Sequence, residues 1–445
     1  MWGVKNMKLV KKLLAFTLVL MLLSGCAGKN SETNKNGSGQ NSTQTDNSTS
    51  VKGEGPIEIE FAHGNPAASY EALVEEYNKK QDKVRVKAVL YGDNYDAMME
   101  KLLIKASANQ LPDVLTSGFN YDQFCLDNLP VVSVQTFIDK EKYDLSDFFP
   151  KLLDLGRGND GKLYGLPLAV SSTIVYINED MFEEAGLDPK NLPKTWDELK
   201  TAAKKLTKED QYGIYFDYIT VSGNFTFESL LATAGGKMIN DSKKAGFNSP
   251  EGKKALQFLR DLQSEDKTMP NMTRQQADQL FLSGKLAMYA TSSGRLETYA
   301  KGAKFKLGTA VFPTTDGKAR KVASGGNNLM TLSKDAKKQA AAWDFIKYAV
   351  SPEGNSLFSK STGYMTVRKS ATEKPELLGD YLKNTPNAMT QYDQVDDMIR
   401  WSSFPGEDAK IQKFLKDNII AAVQKQKTVD QALRDAEEQG NALLK

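Results

Sequence analysis

The rhythm of hydrophobic and polar positions changes repeatedly along the chain. Ile57, Ile59 and Phe61 alternate with polar residues; Leu73, Val74 and Tyr77 then recur at helical spacing, and Val84, Val86, Ala88 and Leu90 alternate again. Strand, helix and strand of these lengths predict a parallel βαβ unit. Later helices are marked by their caps. Thr195-Trp196-Asp197-Glu198 is a capping box ahead of Leu199, Ala202, Ala203 and Leu206, and Ser249-Pro250 sets a cap and a first-turn proline before Leu256, Leu259 and Leu262. A helix is predicted over 340–350, with Trp343, Phe345 and Ile346 on its apolar side and a stop at Ser351-Pro352; Thr428 caps a last one. Strands are expected between these, for example at 173–177 and 306–311. The pattern is α/β throughout, without internal repeats.

The first fifty residues follow a different logic. Lys5, Lys8, Lys11 and Lys12 precede the apolar run 13–23, and Leu23-Ser24-Gly25-Cys26 follows it. A basic stretch, a short apolar run and small residues in that order predict a signal peptide over 1–25. The run is shorter than the roughly 20 apolar residues a spanning helix needs. The four residues ending at Cys26 resemble the bacterial lipobox, in which the cysteine thiol takes a diacylglycerol thioether after cleavage. Met7 opens a more usual signal sequence than Met1 does. Residues 26–55 are expected to be the lipidated cysteine and a flexible tether, since Ser, Asn, Thr, Gly, Gln and Lys bury too little apolar surface to offset chain entropy. The expected location is the extracytoplasmic face of a bacterial cell membrane, with the chain lipid-anchored there.

Charge and cysteine content narrow the function. The chain carries 58 basic and 56 acidic residues. Loss of residues 1–25 removes four lysines and no acid, which moves the net charge from +2 to about −2. Nucleic acid is therefore not an expected partner, because a basic footprint is missing. Cys26 and Cys125 are the only cysteines, so lipidation of the first leaves the second as a packing thiol. His63 is the only histidine, which excludes histidine-rich zinc sites and H-E-x-x-H, and no G-x-S-x-G marks a serine nucleophile. Gly156-Arg157-Gly158-Asn159-Asp160-Gly161 fits G-x-G-x-x-G, but it follows a helical stretch and leads into 162–166, which reads as a strand. A dinucleotide site needs the opposite order, so the segment is expected to be a turn. No cofactor and no metal are expected.

From Pro56 onward the order and spacing of several segments resemble the extracellular solute-binding proteins of carbohydrate ABC importers, and most of all their glycerol-3-phosphate-binding branch. The segments are Gly92-Asp93-Asn94-Tyr95, Leu111-Pro112-Asp113-Val114, Leu166-Pro167 through Ser171-Ser172-Thr173 to Asn178, and Met181-Phe182-Glu183-Glu184-Ala185-Gly186-Leu187. Downstream come Pro193 to Leu199, Thr291-Ser292-Ser293-Gly294, Ser324-Gly325-Gly326-Asn327-Asn328 and Thr362-Gly363-Tyr364. The resemblance implies a two-lobed periplasmic-binding-protein-like fold of type II, closing on its ligand by hinge bending. It places a first lobe at 56–169 plus 324–362 and a second at 170–313 plus 370–445. It also implies a monomeric receptor that binds a carbohydrate and delivers it to the transmembrane subunits of an ABC permease, not an enzyme.

Sugars are held by aromatic faces and by convergent amides, carboxylates, guanidinium groups and backbone N–H. The resemblance carries ligand-contacting roles onto Tyr95, Ser172, Ser293, Gly326 and Tyr364; each is also a residue type common in turns and cores. Asn120, Asn224, Arg295 and Asn327 are amide or guanidinium groups on predicted loops beside the matched segments. Trp401, in an irregular segment, is the stacking candidate, whereas Trp196 and Trp343 lie inside predicted helices and read as core. Two departures bear on the ligand. Phe119 and Asn120 stand where the branch has a glutamate, and Phe404 stands where it has an arginine for the phosphate. Loss of a bidentate guanidinium shifts the expectation toward a neutral sugar or oligosaccharide, with Arg400 or Arg295 as possible replacements if a glycerol phosphate or its diester is bound. A lipid-anchored glycoside hydrolase and a surface adhesin remain as readings of other classes.

Overall fold

The computed structural model describes residues 55–220, 224–315 and 317–444. The signal-peptide segment, Cys26 and the tether up to residue 54 lie outside the described residues. At the start of the described part, β1 (Ile57–His63) pairs in parallel with β2 (Val84–Leu90), Ile57 opposite Val84, across the helix Ala67–Lys80. That helix buries Leu73, Val74 and Tyr77, the residues that set its period in the sequence. A second helix, Tyr95–Ser107, is capped by the Asn94 side chain, which accepts from Ala97 N at 2.9 Å. It leads to β3 (Val114–Gly118), parallel to β1 on its other side.

Two long strands tie this half to the other. β4 (Leu166–Asn178) is buried along all thirteen residues. Its continuous run of apolar and small polar residues marks a strand covered on both faces. In the second half, β5 (Tyr212–Phe216) lies parallel to β6 (Leu286–Ser292), and β7 (Leu307–Ala310) pairs with β4. The second long strand, β8 (Val322–Thr331), and the short β9 (Met398–Ile399) complete the set. Strand order is β2-β1-β3-β8-β4-β6-β5. β4 pairs with β8 over Leu166 to Ser172, then changes partner and pairs with β6 from Thr173 onward. The backbone thus passes from one half-sheet to the other within β4.

The capping signals form as read. Thr195 and Glu198 make a reciprocal capping box on the helix Trp196–Leu206, Ser249 caps Pro250–Arg260 through Gly252 N, and Thr428 caps Val429–Asn441 through Gln431 N. Trp196 and Trp343 are buried core residues, and Trp343 stacks on Phe137 at 5.7 Å between ring centroids. Cys125 is buried beside Met99, and burial pushes its thiol up to about 12, so it is an inert packing group. The glycine-rich segment is a turn: Gly161 has φ +80° and Arg157 bridges to Leu163. The strand expected over 162–166 is limited there to this single bridge, and regular pairing begins at Leu166.

Among the described residues no helix is long and apolar enough to cross a membrane, and no group of three or more His, Cys, Asp or Glu has the arrangement of a metal site.

Candidate functional site

The sequence-selected residues converge on the seam where β4 and β8 pass between the two halves. At one end Asn327, on β8, donates from Nδ2 to the hydroxyls of Tyr70 and Tyr95 at 2.7 and 3.0 Å. Tyr95 is the first residue of its helix, so the Asn94 cap sets the direction in which the ring leaves the backbone. Burial raises the pKa of both phenols and keeps them neutral, with Tyr95 and Tyr364 adding to the effect on Tyr70, and Tyr364 and Asp122 to that on Tyr95. The Tyr364 ring lies over Gly294: a Cβ there would stand 2.8 Å from the ring, so only glycine lets the aromatic face lie flat.

In the middle of the seam Ser293 Oγ accepts from Ser172 N at 3.2 Å, and Ser292 Oγ donates to Ser171 Oγ at 2.9 Å. Gln394 donates to Ser172 Oγ and Thr173 O at 2.7 and 2.9 Å, at the point where β4 changes partner. Gly326, opposite Val170 in the ladder, has φ +122°, and a Cβ on it would fall 1.8 Å from Ala169 O. Beyond Ser293, Arg295 pairs with Asp278 at 3.0 Å and covers the Tyr299 ring, its Nε buried without a partner. Arg274 faces Asp217 at 3.5 Å. Both guanidinium groups are within electrostatic reach of Tyr364.

The far end is built around the segment 400–404. Arg400 donates to Leu155 O at 3.2 Å and stands 4.0 Å from Asp122, while Ser403 Oγ donates to Asn120 O at 3.0 Å. Trp401 is 4 % exposed and packs on Phe225 at 5.5 Å, with its indole N–H unpartnered. Asn224 donates to the backbone and side-chain oxygens of Gln412, both at 2.9 Å. Glu228 accepts from Ser402 N and Oγ, and Asp408 from Phe404 N at 2.6 Å. Burial pushes Asp122 and Glu228 up to about 7 and Asp408 up to about 8.

The local setting of four residues corrects the sequence expectation of loops. Asn327 sits inside β8 and Asn224 opens the helix Asn224–Thr233; Asn120 and Arg295 sit in single 3₁₀ turns. β8 is rich in Ser, Gly and Asn and has little strand propensity of its own; it is a strand because β3 and β4 flank it on both sides. Asn224 is fully buried with its amide N–H groups committed to Gln412. Phe404, at the position where the resemblance implies an arginine, is 1 % exposed and meets Phe247 edge-on.

Tyr70, Asp122, Glu228, Arg274, Gln394 and Asp408 also line the seam, and none carries a local signal of that role. Tyr70 falls at core spacing with Leu73 and Tyr77; Asp122, Glu228 and Gln394 reach Asn328, Ser402 and Ser172 across long stretches of sequence, and Arg274 and Asp408 face Asp217 and Glu228 from other elements. Several polar atoms are left buried and unpartnered here, among them Asn120 Oδ1, Asn327 Oδ1, Ser324 Oγ and Asp122 Oδ1. Such atoms in a dry seam are costly unless something else satisfies them. A surface groove lined by Phe182, Asp188, Lys194, Asp197 and Lys205 lies apart from these residues and shares none of them.

Comparison with known proteins agrees with this architecture. The sn-glycerol-3-phosphate-binding periplasmic protein UgpB of Pectobacterium atrosepticum is 25 % identical over 421 residues, covering 89 % of this chain and 93 % of that protein. UgpB of Escherichia coli K12 is 27 % identical over 321 residues, covering 68 % and 72 %. Among solved structures, the cyclic α-maltosyl-1,6-maltose binding protein of Arthrobacter globiformis superposes with a TM-score of 0.76 at 26 % identity, over 88 % of this chain and 99 % of that one. UgpB of Mycobacterium tuberculosis in complex with glycerophosphocholine superposes at 0.79 with 21 % identity, over 88 % and 99 %, a likeness of fold. The two halves joined by β4 and β8 are therefore the two lobes of a periplasmic-type binding protein. The family model for bacterial extracellular solute-binding proteins matches residues 72–391, and the chain belongs to that family as the solute-binding component of an ABC importer.

Proposed function

We propose that the chain captures a neutral sugar or oligosaccharide between its lobes and delivers it to an ABC permease without turning it over, with Tyr95, Asn120, Ser172, Asn224, Ser293, Arg295, Gly326, Asn327, Tyr364 and Trp401 forming the binding seam. The observation that carries the choice of a neutral ligand is the pairing of charge. Arg295 faces Asp278, Arg274 faces Asp217 and Arg400 faces Asp122. Each guanidinium is already opposed by a carboxylate, and Glu228 and Asp408 add two more acidic groups without a basic partner. Among the described residues, a phosphate approaching Arg274, Arg295 or Arg400 meets a cation that a carboxylate already faces. The tyrosine rings, amides and hydroxyls fit the C–H faces and hydroxyl groups of a sugar instead.

The second reading, glycerol-3-phosphate or a glycerophosphodiester, is favoured by the similarity to the glycerol-3-phosphate-binding protein of Pectobacterium atrosepticum and to the Mycobacterium tuberculosis protein in complex with glycerophosphocholine. A thermal-shift screen decides between the two. A ligand at 100 times its dissociation constant stabilises by about 2.7 kcal/mol. A shift with sugars supports the proposal; a shift with glycerol-3-phosphate and none with sugars overturns it, and release of cleaved glycan would sink the non-enzymatic reading.

We also propose that Cys26 carries the lipid, that the segment up to residue 55 serves as its tether, and that the receptor works as a monomer at the outer face of the membrane. An acyl anchor would hold at the membrane a receptor whose described residues include no helix long and apolar enough to span it, and two chains hold far more firmly than one.

A further inference from the structure

The segment 400–404 is tied on both flanks, and the two flanks differ in chemistry. On the first lobe it holds two backbone carbonyls, Leu155 O through Arg400 and Asn120 O through Ser403. Both side chains are partly exposed, so water competes for these bonds. On the second lobe it is held by two buried carboxylates. Glu228, 2 % exposed, accepts from Ser402 N at 3.1 Å and from Ser402 Oγ at 2.6 Å. Asp408, 3 % exposed, accepts from Phe404 N, while Gln412 Nε2 donates to Ser402 O at 3.2 Å.

The carboxylates interact with each other through the interior, and no lysine or arginine is among the groups acting on either. Glu228 is faced by Ser402 and Asp408. Asp408 is faced by Phe404 N, Gln412, Glu228 and, from the first lobe, the Tyr121 hydroxyl. Asp408 Oδ2 is buried with no partner at all. Two like charges cannot both persist in such surroundings without water or a cation, so the pair retains a proton while the segment covers it.

We propose that the segment 400–404 is a proton-controlled latch on lobe closure, seated while the Glu228–Asp408 pair holds a proton and lifted once both carboxylates ionise. The proposal rests on the reading that the lobes open and close about the β4–β8 hinge. Lifting the segment hydrates both carboxylates and at the same step withdraws Arg400 and Ser403 from the first lobe. Burial holds the pair's titration near neutrality, at about 7 and about 8. The seated form binds more protons than the lifted one, so seating is favoured at low pH and is lost as pH rises toward those values.

Amide hydrogen exchange read by mass spectrometry tests this on the full-length chain in detergent, with no ligand added, between pH 5.5 and 8.5 and corrected for intrinsic rates. The peptide carrying the Ser402 and Phe404 amides should lose protection above pH 6, by up to about ten-fold per pH unit for each proton released. In Glu228→Gln/Asp408→Asn the protection should stay flat. A β6 peptide reports whether the fold is intact. Protection of the segment that is independent of pH in the wild type, or that falls equally in the double variant, overturns the latch. If the double variant does not fold, Arg400→Ala/Ser403→Ala keeps the carboxylate pair and removes the ties to the first lobe, and the loss of protection with rising pH should persist in it, because Glu228 and Asp408 still hold the Ser402 and Phe404 amides. Protection that is flat with pH in this variant also overturns the proposal. Because no sugar is present, a failed ligand screen and a failed latch are separate outcomes.

Discussion

Asn327 holds Tyr95 by a single amide hydrogen bond of 3.0 Å, and the same Nδ2 holds Tyr70 at 2.7 Å, so a β8 side chain sets two aromatic groups of the first lobe against the hinge. Replacing Asn327 with Leu leaves both phenols without that partner. We expect a loss of about 1–3 kcal/mol in stability, read from urea unfolding, and a weakening of sugar binding of ten-fold or more, read by calorimetry.

Gly326 lies in the same strand with φ +122°, where a side chain would meet Ala169 O. Gly326→Ala should cost about 1–3 kcal/mol from backbone conformation alone, and more from the collision with β4. A midpoint in urea unchanged from the wild type would remove the steric argument for this glycine.

The opposed charges of the seam suggest a change of specificity. Asp278→Asn removes the anion facing Arg295 while keeping an acceptor for the Tyr299 hydroxyl, which Asp278 now receives at 2.6 Å. The freed guanidinium should tighten binding of glycerol-3-phosphate about ten-fold, worth ~1.4 kcal/mol in titration calorimetry. Unchanged phosphate affinity would mean that Arg295 does not face the ligand.

Global stability should also respond to pH. Asp122, Glu228 and Asp408 all have folded-state pKa values raised by burial. The folded chain therefore binds more protons than the unfolded chain between the ordinary carboxylate range and about pH 8. Their contribution is greatest below that range and is lost as pH rises through it. The melting temperature should fall between pH 5 and 8, and the fall should be shallower in Asp122→Asn.

Anchoring can be checked by fractionation. Cys26→Ser should abolish lipid labelling and move the receptor from the membrane fraction into the medium or periplasm. Retention at the membrane would point to an anchor other than the thioether.

What could be read from the chain alone follows the range of each interaction. Thr195, Ser249 and Thr428 act within three residues, so their caps are visible in the sequence and form in the structure. The βαβ opening is legible for the same reason, because Ile59, Leu73 and Val86 carry the periods of their own elements. The Ser-Gly-Gly-Asn-Asn run around Asn327 has no strand rhythm and reads as a loop; the flanking strands β3 and β4 impose a strand there. Glu228 and Asp408 are 180 residues apart in the numbering, and no pattern along the chain links a helix carboxylate to a serine of the segment it anchors.

β4 is hydrogen-bonded to β8 along its first half and to β6 along its second. Neither lobe possesses a complete sheet without it, and cutting the chain near residue 172 would leave the first half of β4 on a fragment that lacks its partner β8. The molecule should consequently melt as one cooperative unit, with a single calorimetric peak whose van't Hoff and calorimetric enthalpies agree, even though its working motion divides it in two.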